Sequence, residues 1–207
     1  SSTSRGLGDV YKRQVWTFAI AIVFLGLSAA LFGHWLEKAG PRKAGVAAAI
    51  FWGGGLMVTS LGVSLHQLWL IWLGAGVIGG IGLGLGYISP VSTLIKWFPD
   101  RRGLATGMAI MGFGGGAMIG MPLGDYLIKA NGVGETFFIM GLIYLFAMTI
   151  GAFGYRVPAE GWKPKGWNPV AKKTNHMISS SHVHVSKAHK TPQFWLLWGV
   201  LCLNAVS

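Results

Sequence analysis

The sequence predicts an all-α polytopic membrane protein, on the strength of its composition, the length of its apolar runs and the placing of its charges. Hydrophobic residues make up 52% of the 207, charged ones only 11%, and the mean hydropathy is +0.53. A soluble domain carries about 25% charge. The apolar residues are gathered into runs of about 20 or more, the number a helix needs to cross a hydrocarbon layer roughly 30 Å thick. None of these runs keeps a polar face for water, which argues against buried helices of a soluble bundle. The net charge of +11 is split into short clusters between the runs. That is the pattern of membrane topology, not of one basic face for nucleic acid.

Taken in order, the chain starts with a basic segment, Ser1–Gln14, that carries Arg5, Lys12 and Arg13. The apolar run behind it is too long for a signal peptide and lacks a cleavage signal. Its end, GLGDVYKRQ at Gly6–Gln14, resembles translated sequencing-adapter sequence. Residues 1–14 are therefore expected to be a non-native leader without function. Transmembrane helices are predicted at Val15–Leu36, Ala44–Leu65, Leu68–Trp97, Leu104–Leu127 and Phe137–Tyr155, and another begins at Phe194. Trp16, Trp35, Trp69 and Trp97 stand near the ends of the first and third of these, where amphipathic rings favour the headgroup layer.

The connections alternate in charge. Lys38, Arg42 and Lys43 fill the first, and His66–Gln67 leave the second without Lys or Arg. Lys96, Arg101 and Arg102 flank the third, Lys129 stands alone in the fourth, and residues 156–190 hold seven Lys and Arg. Positive charge marks the cytoplasmic side, so residues 37–43, 96–103 and 156–190 are expected there, in a plasma (inner) membrane of bacterial type. The last of these segments reads as a loosely structured central loop, suited by its basic residues to anionic lipid headgroups.

The third and fourth helices carry the informative residues. Gly76, Gly80 and Gly84 recur every fourth residue, and so do Gly112, Gly116 and Gly120, which puts each set on one stripe. In a bilayer such stripes let helix backbones approach closely. Pro90 and Pro122 interrupt the ladders of the two helices and favour a bend. Tyr87, three residues before Pro90, is read either as an interhelical hydrogen-bonding group or as a donor to a bound carboxylate. Met108 and Met111 are candidate cavity contacts, with plain packing the alternative. In KWFPDRRG, Lys96 can snorkel to the interface, Pro99 ends one helix, and Asp100 suits the positive start of the next. Arg101 and Arg102 then face lipid headgroups or a partner acid, or serve only as a topological anchor.

The turn GHWLEKAGPRK, at Gly33, Glu37, Lys38, Gly40, Arg42 and Lys43, resembles the loop between the second and third helices of major facilitator superfamily transporters. Glu37 stands where the family usually has Asp, and Lys38 where it has Arg. The resemblance implies a latch of charge pairs that break and re-form during transport. The segment GLGYISPVSTLIKWFPDRRGLATGMAIMGFGGG, with APEGWKPKGWNP at Ala159–Pro169 and TPQFWLLW at Thr191–Trp198, is similar to the oxalate/formate antiporter branch. It implies the amino-terminal half of a twelve-helix fold, truncated, with helices two to six in residues 15–155 and the start of helix seven in 191–207. Tyr87 then matches an aromatic of the family's fourth helix that lines the substrate cavity. The stripe with Pro122 resembles the glycine-proline motif of superfamily antiporters.

Transport of small carboxylate anions by alternating access, through exchange, is the expected function. A proton-coupled monocarboxylate carrier and a non-transporting membrane sensor are the alternatives. No span carries a central charge, and the family's fourth-helix arginine has no counterpart near Gly76. The cations that hold the substrate are thus expected in a missing carboxy-terminal half. No enzyme activity, cofactor or metal is expected: the glycines at 80–86 follow no strand and fail the dinucleotide fingerprint, and His182, His184 and His189 lack partner carboxylates. Cys202 is alone, and the anticipated partners are the anion and the bilayer, without nucleic acid.

Overall fold

The computed structural model describes residues 2–166 and 185–206, which form helices joined by short connections. Two units are compact in themselves, Ser1–Lys165 and Gly166–Ser207. The first holds α1 (Ser2–Ala39), α2 (Pro41–Ser64), α3 (Leu68–Trp97), α4 (Arg102–Asn131) and α5 (Val133–Gly154). All five contain a stretch long and apolar enough to cross a membrane, and the chain is a multi-pass membrane protein. The second unit holds α6 (Val185–Ala188) and α7 (Pro192–Val206). There the Trp195 indole donates to the His189 carbonyl at 2.8 Å, which ties the start of α7 to the turn before it.

The helices run past the predicted boundaries because two of the expected loops shrink to one residue. α1 ends at Ala39 and α2 starts at Pro41, with only Gly40 between them, at φ +86°. An L side chain is strained in that left-handed region, and a proline at the first helical position needs no hydrogen-bond partner for its nitrogen. Gly-Pro is therefore the chemistry this turn requires. Gly132, at φ +83°, joins α4 to α5 in the same way. Lys38, Arg42 and Lys43 accordingly lie in helical turns and not in a loop. α1 also continues unbroken through the residues expected to form a leader.

α2 and α3 form the middle of the first unit. α2 packs extensively on both α3 and α5, α3 also packs on α1, and α4 touches α3 and α5 more lightly. The core is made of small groups: Ala44, Ala48, Ala49 and Ala152 are buried, with Leu36, Leu56 and Leu85 among them. Without a hydrophobic force between helices in lipid, close backbone contact and polar side chains supply the association. Glycines of α3 serve two neighbours. A Cβ on Gly80 would stand 2.7 Å from the Ala21 carbonyl of α1, and one on Gly74 would stand 2.6 Å from the Gly55 carbonyl of α2. Where α2 presses on it, α3 is wound as π-helix over Trp72–Ile78. Thr59 lies against this stretch and donates to the Gly55 carbonyl at 2.8 Å.

Buried hydroxyls elsewhere are also satisfied by backbone, as a low-dielectric interior demands. Ser28 donates to the Leu25 carbonyl at 3.0 Å, Thr93 to Ser89 at 2.8 Å, and Ser60 to Gly134 at 2.6 Å. The last of these joins α2 to α5 at the end of the unit where Gln67 and Gly132 turn. Gly40, Phe98 and Tyr155 turn at the other, basic end.

Candidate functional site

α3 and α4 are antiparallel, and their facing sides leave two adjoining cavities. The larger, about 510 Å³, is walled by α2 through Trp52, by α3, by α4 and by α5 through Tyr144 and Met148. The smaller, about 280 Å³, lies between α3 and α4 alone. Helical periodicity on α4 puts Gly112, Gly116 and Gly120 along the larger cavity, and a Cβ on Gly112 or Gly116 would meet nothing within 4 Å. Gly112 and Gly116 thus border open space, Gly120 faces the Tyr144 hydroxyl 2.8 Å from such a Cβ, and Gly76, Gly80 and Gly84 of α3 are filled by α1.

Tyr87 lines both cavities. Its ring meets that of Phe113 edge to face, with centroids 6.1 Å apart and planes at 88°. A second edge-to-face pair, Trp52 with Tyr144, stands 6.1 Å apart in the larger cavity. No lining residue of either cavity is charged; the polar side-chain groups are the hydroxyls of Tyr87 and Tyr144 and the Trp52 indole N–H. Pro90 borders the smaller cavity. Having no N–H, it leaves the carbonyl four residues earlier, that of Gly86, without its usual helical partner.

Met108 lines the smaller cavity, whereas Met111 lines neither and is largely exposed, one position off the 108–112–116 stripe. Phe113, Trp52, Tyr144 and Met148 were not singled out from the sequence. An aromatic among glycines or at mid-span reads as packing until its neighbours are known. Phe113 does carry one local signal: in GFGGG it is the one side chain among glycines.

At the basic end the Gly33–Lys43 turn becomes part of a brace. The Arg42 Nε donates to the Tyr155 carbonyl at 2.6 Å, at the carboxyl end of α5, where a cation complements the helix dipole. The Trp97 indole donates to the next carbonyl, Arg156, at 2.8 Å, and Trp97 stacks edge to face on Trp162 at 5.1 Å. Ser89, fully buried, donates to the Pro41 carbonyl at 3.2 Å. Tyr155 also hydrogen-bonds Ser89, and burial raises its pKa above the usual 10.0, which that bond partly offsets. Its ring sits where a side chain on Gly45 would go, 3.0 Å from such a Cβ.

The other residues of the predicted latch are less engaged. Glu37, Lys38 and Lys43 are exposed, and among the described residues none of the three makes an ion pair within 4.0 Å. Gly33 has open space around its Cβ position. Asp100 lies 3.7 Å from the Arg101 Nε, beside the start of α4, and Arg102 is exposed in its first turn. Pro122 lies within α4, outside both cavity linings. At the opposite end Lys129 pairs with Asp125 at 2.6 Å. His182 and His184 lie outside the described residues.

Comparison with known proteins gives the context for this geometry. The family model described as Major Facilitator Superfamily matches residues 13–207. The chain is 28% identical over 194 residues to the uncharacterized MFS-type transporter YhjX of Escherichia coli (strain K12), covering 94% of this chain and 45% of that protein. It is 29% identical over 171 residues to the oxalate:formate antiporter of Oxalobacter formigenes, covering 80% and 37%. Monocarboxylate transporter 2 of Meriones unguiculatus is 25% identical over 186 residues, covering 90% and 36%. The chain spans less than half the length of these relatives.

Proposed function

We propose that this chain, which belongs to the major facilitator superfamily, is part of a carrier that exchanges small carboxylate anions across a membrane by alternating access. It is a transporter-family protein and not an enzyme. The observation that carries the reading is the position of Tyr87, a hydroxyl-bearing ring at the junction of two apolar cavities inside the helical unit. A phenolic donor in an apolar wall suits a carboxylate oxygen, and the apolar walls suit a small organic anion's carbon skeleton. Two relatives whose names specify oxalate with formate, and monocarboxylates, share that chemistry. Because the cavity walls carry no charge, the cations that neutralise the substrate are supplied by the remainder of the carrier. The basic end faces the cytoplasm, by the positive-inside rule.

Counterflow in proteoliposomes holding the full-length carrier tests this. External unlabelled carboxylate should accelerate release of labelled carboxylate from inside. Tyr87→Phe should raise KM by about 10- to 150-fold with insertion unchanged, since a hydrogen bond to a charged group is worth about 1.5–3 kcal/mol. Uptake by that variant indistinguishable from wild type would remove Tyr87 from the site. A second reading, proton-coupled monocarboxylate transport, is favoured by the monocarboxylate transporter relative. It predicts net uptake driven by a pH gradient without any anion on the other side.

A further inference from the structure

We infer that Phe113 is a movable partition in the transport path, closing the larger cavity from the smaller one and thereby limiting the size of anion that passes. The inference rests on the carrier reading above, and starts from what the two cavities share. Their common wall is Gly86, Tyr87, Gly112 and Phe113, and two of these four have no side chain. The substance of the wall is therefore the two rings, set edge to face at 6.1 Å.

Residue order shows that the cavities are stacked along the helix axes. The larger is lined by Gly82 and Leu83, before Tyr87 on α3, and by Gly120 and Met121, beyond Phe113 on α4. The smaller is lined by Pro90 and Val91, after Tyr87, and by Met108 and Ala109, before Phe113. Since the helices are antiparallel, the first set lies toward the end where Ser60 meets Gly134 and the second toward the basic end. The Tyr87–Phe113 pair stands between them, with Phe113 half exposed.

The two rings are suited to different tasks. Tyr87 has a donor with which to hold an anion. Phe113 has none, so its contribution is bulk. Positions 112, 114, 115 and 116 around it are glycine, and a Cβ on any of them would meet nothing within 4 Å. The phenyl group thus has room to swing aside, against an edge-to-face preference that favours the closed arrangement only about 2- to 12-fold. A bulky group held weakly among glycines makes a threshold and not a plug.

The experiment uses the full-length carrier in proteoliposomes and carboxylates of one to four carbons. In wild type, exchange should fall steeply with size. In Phe113→Ala the rate ratio of the largest to the smallest anion should rise at least tenfold, in Phe113→Leu less, and in Phe113→Trp it should drop. Tyr87→Phe should instead weaken all the anions alike. A second readout needs no substrate: a cysteine at Ala109, reached by a water-soluble thiol reagent from the larger cavity's side, should react at least fivefold faster in the Phe113→Ala background. Unchanged size ratios across the three Phe113 variants, or an unchanged thiol rate, overturn the partition while leaving the carrier reading intact. If wild type moves no carboxylate, the carrier reading fails, and the thiol rate alone then decides whether Phe113 separates the two cavities.

Discussion

Single side chains at the basic end do more than mark a topology. Arg42 is one of several cations there, yet it is the one whose guanidinium reaches across to the carboxyl end of α5. Tyr155, beside it, is the group whose titration should be visible. Burial raises its pKa above 10.0, so the folded form keeps its proton longer than the unfolded chain does. The sign follows from linkage: below pH 10 both states are protonated and nothing changes, and above it stability falls as pH rises. Thermal melting in detergent should show an alkaline loss of stability that Tyr155→Phe reduces; an identical pH profile in that variant would contradict the assignment. Tyr87 could be singled out from the sequence because a hydroxyl three residues before a proline is unusual in a plain apolar span. Phe113 and Tyr144 could not, because their importance comes from which helix lies opposite, and helical periodicity does not name a neighbour.

Helices were legible as objects and less so at their ends. Hydropathy located all five spans of the first unit, because a membrane leaves helices few alternatives. The boundaries moved outward at Gly40 and Gly132, since charge was taken as a sign of loop while a single left-handed glycine is enough to turn the chain. The two glycine stripes looked alike in sequence, but one is packed and the other borders a cavity. That difference gives a test of α3. Gly80→Leu drives a side chain into the α1 backbone, 2.7 Å from the Ala21 carbonyl at its first carbon, and should cost several degrees of melting temperature. Gly151→Leu on α5, where nothing lies within 4 Å, should melt like the parent. Equal melting of the two variants would show that the α1–α3 contact contributes little.

For the molecule as a whole, the charge distribution is sorted by end. Apart from Lys129, every Lys and Arg between residues 15 and 162 lies where α1 meets α2, where α3 meets α4, or after α5. With Cys202 replaced by serine, an impermeant maleimide should label Lys129→Cys in intact cells, and Lys43→Cys only after permeabilisation. Labelling of Lys43→Cys but not of Lys129→Cys in intact cells would reverse the orientation. This sorting was readable from sequence alone, since it depends only on the order of spans and charges. The arrangement of neighbours, with α2 against α5 and α3 against α1, was not. It arises from which small residues meet, and many glycines offer many pairings.

The brace between Arg42 and Tyr155 has a consequence for how the chain is made. Its two halves are separated by 113 residues, whereas the Ser60–Gly134 bond at the opposite end spans 74. At a synthesis rate of about 5–20 residues per second, Arg42 is made roughly 6–23 seconds before its acceptor. Throughout that interval the guanidinium lacks the partner it has in the folded unit. Ser89 meets Pro41 across only 48 residues, so the basic end can begin to join early, and a ribosome paused before Tyr155 holds a bundle that lacks only its last brace.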